Sequence, residues 1–152
     1  MSGIISDNVG RATGLIKAAG GGGKILQVVS ASDTTSRSHS SDSWSKASNT
    51  LDCAITPAAT SSKIFVSFAV GMYSSGDFQA SIYRDSTNLG DSDDGVSRLN
   101  SKVCFGGGLV DSPSTTSEVT YSVQIKAEDA PTSASLNYSN STSYMLVMEI
   151  GA

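Results

Sequence analysis

Charged residues are scarce in this chain: they make up 16% of its 152 residues and leave a formal net charge of -4. Lys and Arg do not cluster, so the sequence offers no basic surface that could follow a phosphate backbone, which argues against a nucleic-acid partner. Long solvent-facing helices favour Glu, Lys, Arg and Gln. The low charge therefore argues against a helical fold as well.

Residues that carry catalytic or metal chemistry are also few. His39 is the only histidine, so it is the only candidate base for a Ser-His-Asp arrangement, and its hydroxyl-rich surroundings predict an exposed loop residue. Cys53 and Cys104 are the only cysteines, and we predict two small buried hydrophobic residues in preference to a disulfide. No metal site of standard spacing can be built from this set. We therefore expect no cofactor and no enzymatic activity. A pair of catalytic carboxylates would be brought together only by the fold, so a small glycan-cleaving enzyme stays the alternative from another functional class.

Long apolar runs are absent too. The N-terminus lacks a basic region followed by an apolar stretch, which argues against a secretion signal, and no run is long enough to insert into a membrane.

Two short motifs suggest ligand sites but fit them poorly. The glycines before Lys24 resemble a phosphate-binding loop, yet Ala18 and Ile25 stand where that motif needs Gly and Ser or Thr. Asp91, Asp93 and Asp94 could supply oxygen ligands to Ca²⁺, but Val96 and Lys102 occupy positions where an EF-hand loop needs Gly and Glu. We predict a solvated turn there.

Small hydroxyl residues take the place of charge, since the chain contains 30 Ser and 12 Thr. Short segments with period-two alternation, separated by turn residues every 8–12 positions, predict an all-β antiparallel sandwich, jelly-roll-like, over residues 24–152. The clearest strand is 63–73, followed by a turn at 74–77 and a second strand at 78–84. The predicted core consists of Ile64, Val66, Phe68, Val70, Ile82, Val119, Tyr121, Val123, Ile125, Leu146 and Met148.

The first 23 residues differ from the rest and form a separate segment. Gly20, Gly21, Gly22 and Gly23 predict a hinge, because consecutive glycines have large backbone freedom and nothing to pack. The preceding residues are partly apolar, which is typical of an arm that attaches to a larger body. We expect its contacts to come from Ile4, Ile5, Leu15 and Ile16.

Aromatic residues are the remaining candidates for binding. The tyrosines fall mostly on strand positions, which favours core or sheet-edge roles. Trp44 lies in a polar stretch, so we predict it as the residue that contacts a host molecule.

The chain resembles small structural proteins of tailed bacteriophages that infect marine bacteria and cyanobacteria. The resemblance rests on the opening MSGIISDNVGRATGLIKA, on TSSKIFVSFAVG and SIYRDSTNLGD in the centre, on LVDSP ahead of TYSVQ, and on the ending MEIG. It implies a virion component: a short tail-fibre or host-attachment subunit, or alternatively a capsid decoration or head-fibre protein. The implied partners are other virion proteins of the tail or capsid, two further copies in a homotrimer, and a host-surface glycan or protein.

The strand pattern gives separate support for association between copies. Phe65 is predicted to lie opposite the inward face of its strand, and Met145 and Val147 opposite Leu146 and Met148. Outward apolar residues of this kind are a liability on an isolated monomer, so we expect an interface to cover them.

Overall fold

A computed structural model describes residues 23–128 and 133–151 of the chain. The described residues are nearly all β-structure, with one short 3₁₀ turn at Tyr138–Asn140. In that part of the chain, no helix is long and apolar enough to cross a membrane. The ten strands are β1 (Ile25–Asp33), β2 (Arg37–His39), β3 (Ser45–Lys46), β4 (Cys53–Ile55), β5 (Lys63–Arg84), β6 (Thr87–Asn88), β7 (Ser97–Asp111), β8 (Val119–Ala127), β9 (Ala134–Leu136) and β10 (Ser143–Ile150).

The prediction of an all-β antiparallel fold is confirmed. All ten described strands belong to one antiparallel sheet, whose main path is β1-β10-β5-β8-β3 and which curls into a half-barrel. The finer prediction of a two-layer jelly-roll sandwich stays a prediction.

The long strand β5 organises the sheet. One of its edges pairs in turn with β10, β9 and β8, while β7 follows the other edge. The strand bends at a register irregularity between Tyr73 and Asp77. This bend brings β4, which pairs with β8, against β1 and β10, so that the two ends of the sheet enclose the core between them.

The predicted turn at 74–77 is therefore wrong. β7 pairs with β5 on both sides of this segment, so the chain bends there without reversing direction. The Ser74 hydroxyl is bonded to the carbonyl oxygen of Gly76, and the backbone N–H of Ser75 donates to Ser133 at 3.0 Å. These bonds stabilise a bulge, a feature that allows a strand to bend without ending.

The core contains every predicted residue except two. Leu146 and Met148 are half-buried, whereas Met145 and Val147 on the other face of β10 are inaccessible to solvent. The prediction for β10 is thus inverted. Both faces of this strand are apolar, and the inward face ends in Glu149, a residue type that usually points to solvent.

Two carboxylates are buried and hydrogen-bonded within this framework. Glu149, at one end of β10, accepts hydrogen bonds from Gln27 Nε2 at 2.6 Å and from the backbone N–H of Ala58 at 2.7 Å. Burial alone would raise the pKa of Glu149, but these bonds stabilise the charged form and the net result is a lowered pKa. The side chain thereby attaches the segment after β4 to β1 and β10.

Asp33 fulfils a similar role at the opposite end of β1. It accepts hydrogen bonds from Ser48 Oγ at 2.5 Å, from the backbone N–H of Thr35 at 2.8 Å and from Arg37 Nε at 3.1 Å. Burial opposes ionisation, but the hydrogen bonds outweigh it and hold the pKa of Asp33 well below its usual range. Asp33 therefore fastens the turn before β4 to the end of β1.

Candidate functional site

Trp44 lies just before β3 and is half-buried. Its indole Nε1 donates a hydrogen bond of 3.0 Å to the carbonyl oxygen of Ser92, and its ring centroid lies 6.1 Å from that of Tyr83. Lys126 Nζ lies 5.0 Å from the Trp44 ring centroid, a cation–π distance. Trp44 therefore attaches the acidic loop to the sheet, and its contact with a host molecule stays a prediction.

The acidic loop itself is a tight turn. Asp91 Oδ1 accepts the backbone N–H groups of Asp93 at 2.8 Å and Asp94 at 3.0 Å, and these bonds lower the pKa of Asp91. Asp91 and Gly95 also exchange two backbone hydrogen bonds of 3.1 Å. Gly95 has a φ of 68°, and a Cβ there would lie 2.4 Å from the carbonyl oxygen of Ala80, so the turn requires glycine.

The sequence offers Asp91, Asp93 and Asp94 of this loop as oxygen ligands for a metal ion. Among residues 23–128 and 133–151, no group of three or more His, Cys, Asp or Glu side chains is arranged to hold a metal ion. The geometry of Asp91 is that of a side chain closing a turn.

A second aromatic cluster lies elsewhere on the described surface. Tyr73, on β5, and Tyr138, in the 3₁₀ turn, have ring centroids 5.1 Å apart at an interplanar angle of 37°. Tyr138 is 44% exposed. Two adjoining tyrosine rings at the surface provide an apolar face with polar edges, which is suited to contact with a sugar ring or a protein partner.

The segment that carries Tyr138 has an unusual backbone. Asn137, Ser139 and Asn140 adopt left-handed conformations with φ values of 53°, 56° and 61°. Asn tolerates this region, whereas Ser occupies it at an energetic cost, and strained residues concentrate at functional positions. The strain at Ser139 is the second reason to regard the neighbouring Tyr138 as a candidate contact residue.

Asn137 holds this turn in place. Its backbone N–H donates to Gly71 at 2.7 Å, its Nδ2 donates to Thr35 at 3.0 Å, and its Oδ1 accepts the Ser143 hydroxyl at 2.5 Å. The side chain of Asn137 is inaccessible to solvent. These bonds connect the turn to β5, to the residues just after β1 and to the start of β10. They hold in place the backbone that carries Tyr138.

The tyrosine pair and the start of the described chain lie at different positions along the sheet. Ile25, Ile150 and Lys63 are aligned in register where β5 begins, and the backbone N–H of Gly151 donates to Lys24 at 2.8 Å. Tyr73 lies ten residues further, in the middle of β5, which corresponds to a path of about 33 Å along the strand at the rise of a β-strand. Any segment that precedes Gly23 therefore joins the sheet ten strand residues away from Tyr73.

The predicted arm residues Ile4, Ile5, Leu15 and Ile16, together with Gly20, Gly21 and Gly22, lie outside the described residues. Gly23 is described and packs against the C-terminal strand. A Cβ at Gly23 would lie 2.2 Å from the carbonyl oxygen of Gly151, so glycine is needed here for close approach of two backbones.

The cysteines and the histidine differ in part from prediction. Both cysteines are free, and Cys53 is buried in the core, where burial raises its pKa to about 11. Cys104 is exposed, so the prediction that it is buried is wrong. The prediction for His39 is also wrong: it ends strand β2 and is half-buried, with Nε2 3.0 Å from the carbonyl oxygen of Ala47, and burial lowers its pKa.

Reasoning from the sequence did not single out Tyr138. The Asn-Tyr-Ser-Asn segment is a turn signal, since Asn tolerates left-handed backbone conformations, and this signal could have placed Tyr138 at a surface. Its approach to Tyr73 depends on the pairing of β9 with the middle of β5, which no local pattern specifies. Comparisons with protein-family models and with curated proteins found no match to this chain.

Proposed function

We propose that this chain is a non-enzymatic structural protein of a phage virion. Its role is that of a short tail-fibre or host-attachment subunit, localised in the phage particle and bound to other virion proteins through residues 1–23. The β-domain, for which we retain a jelly-roll-like sandwich as the finer fold proposal, faces outward. We further propose a homotrimer that needs no cofactor, does not bind nucleic acid and does not insert into membranes.

The observation that carries this proposal is the separation along the sheet between the start of the described chain and the tyrosine pair. An attachment protein needs its docking point and its contact surface apart, so that one can be held while the other meets the host. Here Gly23 meets Gly151 where β5 begins, and Tyr73 with its neighbour Tyr138 lies ten residues along that strand, a path of about 33 Å. The direction of the chain thus suits a subunit held by its N-terminus.

The contact surface belongs to the Tyr73–Tyr138 pair first and to Trp44 second. Tyr138 is 44% exposed in the 3₁₀ turn, whereas Trp44 is half-buried against the loop that it anchors. Tyrosine rings stack on sugars and pack against proteins equally well, so a host-surface glycan or protein suits this surface.

Electron microscopy tests the location. Phage particles that carry a tagged copy of this chain should bind a gold or antibody label at the tail. Label confined to the head would favour the alternative, a capsid decoration or head-fibre protein, and absence of the chain from purified particles would overturn the proposal.

A biochemical assay tests the non-enzymatic part. Purified protein incubated with host surface polysaccharide should leave the chain-length distribution of the polysaccharide unchanged. The appearance of shorter products would show a depolymerase and contradict the proposal.

A further inference from the structure

One face of the sheet is apolar and faces outward over four adjacent strands. In the register of β1, β10, β5 and β7, Val28 pairs with Met148, Met148 with Phe65, and Phe65 with Val110. These four residues form a continuous row, which we call the outer row. Val28 is 55% exposed and Val110 58% exposed, while Met148 and Phe65 are half-buried between them.

The surroundings of the outer row are small and nearly uncharged. The next aligned positions on the same face are Ser30, Leu146, Ser67 and Gly108, followed by Ser32, Tyr144, Ala69 and Gly106. Among the described outward positions aligned with residues 144–150 of β10, Lys63 is the single charged residue, and it lies at the rim with Nζ bonded to Ser112 Oγ at 2.7 Å. This part of the face therefore offers no pattern of charge to select a foreign partner.

We propose that the outer row is an interface between copies of this chain. An apolar sheet face with small flanking residues is complemented by another face of the same kind, because sheets pack face to face at about 10 Å through such surfaces. Association of identical subunits meets this need, since every copy carries the same patch. The occupant of the face is thus a second copy of the chain.

The area of this face sets the expected affinity between copies of the chain. Four strands about 4.8 Å apart and about seven residues long cover a flat area of about 450 Å², compared with about 800 Å² per partner in a standard stable interface. We therefore expect reversible association in the micromolar range for the isolated protein. Subunits held side by side in a particle would associate more completely, because their effective concentration is in the millimolar range.

This inference rests on the homotrimer of the proposed function, for which it names the surface, and it stands whether or not the chain belongs to a phage particle. It replaces the residues first expected to support association, since Met145 and Val147 lie in the core and only Phe65 is retained from that prediction.

Sedimentation velocity of the full chain over about 5–200 μM tests the proposal. The wild-type protein should show a mass that rises with concentration toward a dimer or trimer. The double variant Val28→Lys, Val110→Lys places charges at both ends of the outer row and should weaken association at least tenfold. Thr116→Lys, in the exposed loop after β7, is the matched control and should associate like the wild type.

The melting temperature of each variant shows whether it is folded. If the lysine variant proves unstable, the less disruptive double variant Val28→Thr, Val110→Thr should also weaken association. A wild-type chain that stays monomeric over the whole range would overturn the proposal, whether residues 1–22 or another protein covers the face. Association that persists unchanged in both double variants would overturn it too, since copies would then meet through another surface.

Discussion

The rings of Tyr73 and Tyr138 lie 5.1 Å apart, although β5 and the 3₁₀ turn that carry them are far apart in the sequence. They are brought together by the pairing of β9 with the middle of β5 and by the bonds of Asn137 to the surrounding strands. A surface that the fold holds this firmly is suited to binding, because little conformational freedom is lost when a partner arrives.

Replacement of Tyr138 tests the assignment of this surface. Tyr138→Ala should reduce the binding of labelled protein to host cells about fivefold or more, because stacking on an exposed aromatic ring contributes on the order of 1 kcal/mol or more. The melting temperature should change little, since the ring is largely outside the core. Ser86→Ala, on the exposed turn between β5 and β6, serves as the control, and equal binding of both variants would count against the assignment.

The inverted polarity of β10 leads to a matched pair of stability predictions. Met145→Ala should lower the free energy of unfolding by about 2–5 kcal/mol, because it removes a fully buried side chain and leaves a cavity. Met148→Ala on the opposite face should cost about 1 kcal/mol or less, because that side chain is only half-buried. Urea denaturation measures both, and a larger loss for Met148→Ala would restore the prediction made from the sequence.

The buried carboxylates predict a loss of stability in acid. The pKa values of Asp33 and Glu149 are lower in the folded protein than the ordinary carboxyl value of about 4. Their contribution to the free energy of unfolding is therefore fully present above the ordinary value and declines as the pH falls below it toward the folded value. Denaturation midpoints should be nearly constant between pH 6 and 8 and fall below about pH 5.

Asp33→Asn provides the control for this pH dependence. It should cost about 1–3 kcal/mol at pH 7, because the amide accepts fewer of the bonds from Ser48, Thr35 and Arg37. It should also flatten the acid part of the profile. A variant with unchanged slope below pH 5 would show that Asp33 does not cause the acid sensitivity.

The anchoring role of Trp44 can be tested by hydrogen exchange. Trp44→Phe keeps an aromatic ring near Tyr83 and Lys126 but removes the bond to Ser92, so the amides of Asp94 and Gly95 should exchange faster while the sheet remains protected. Trp44→Ala should have the larger effect on the same amides. Unchanged exchange in Trp44→Ala would mean that Asp91 alone holds the loop.

The fold class and most of the core could be predicted from the sequence because period-two alternation is a local property. Strand 63–73 alternates cleanly, and its even-numbered residues are buried as predicted. The alternation of β10 has no clear polarity, since both faces are apolar and Glu149 lies on the buried one. Its direction is decided by Gln27 and Ala58, which bond Glu149 from distant parts of the chain.

The candidate site was harder to predict because its contacts join residues that are distant in the sequence. Trp44 stands out by residue type, but its indole is engaged by Ser92 through a contact that only the folded chain creates. Tyr138 resembles any other tyrosine in the sequence until β9 pairs with β5. The bulge at Ser74 resembles a turn in the sequence because Ser-Ser-Gly-Asp suits both structures, and the pairing of β7 on both sides of it distinguishes them.

Deletion of residues 2–19 tests the central claim, which is that the N-terminal segment attaches the β-domain to a virion. We predict that the truncated protein keeps the melting temperature of the full chain to within a few degrees, because the described core lies entirely after Gly23. Phage particles assembled with the truncated copy should lack the protein when purified and measured by quantitative mass spectrometry, whereas the full-length copy should be retained. Truncated protein that still enters particles at the wild-type level, or that no longer folds, would contradict the account.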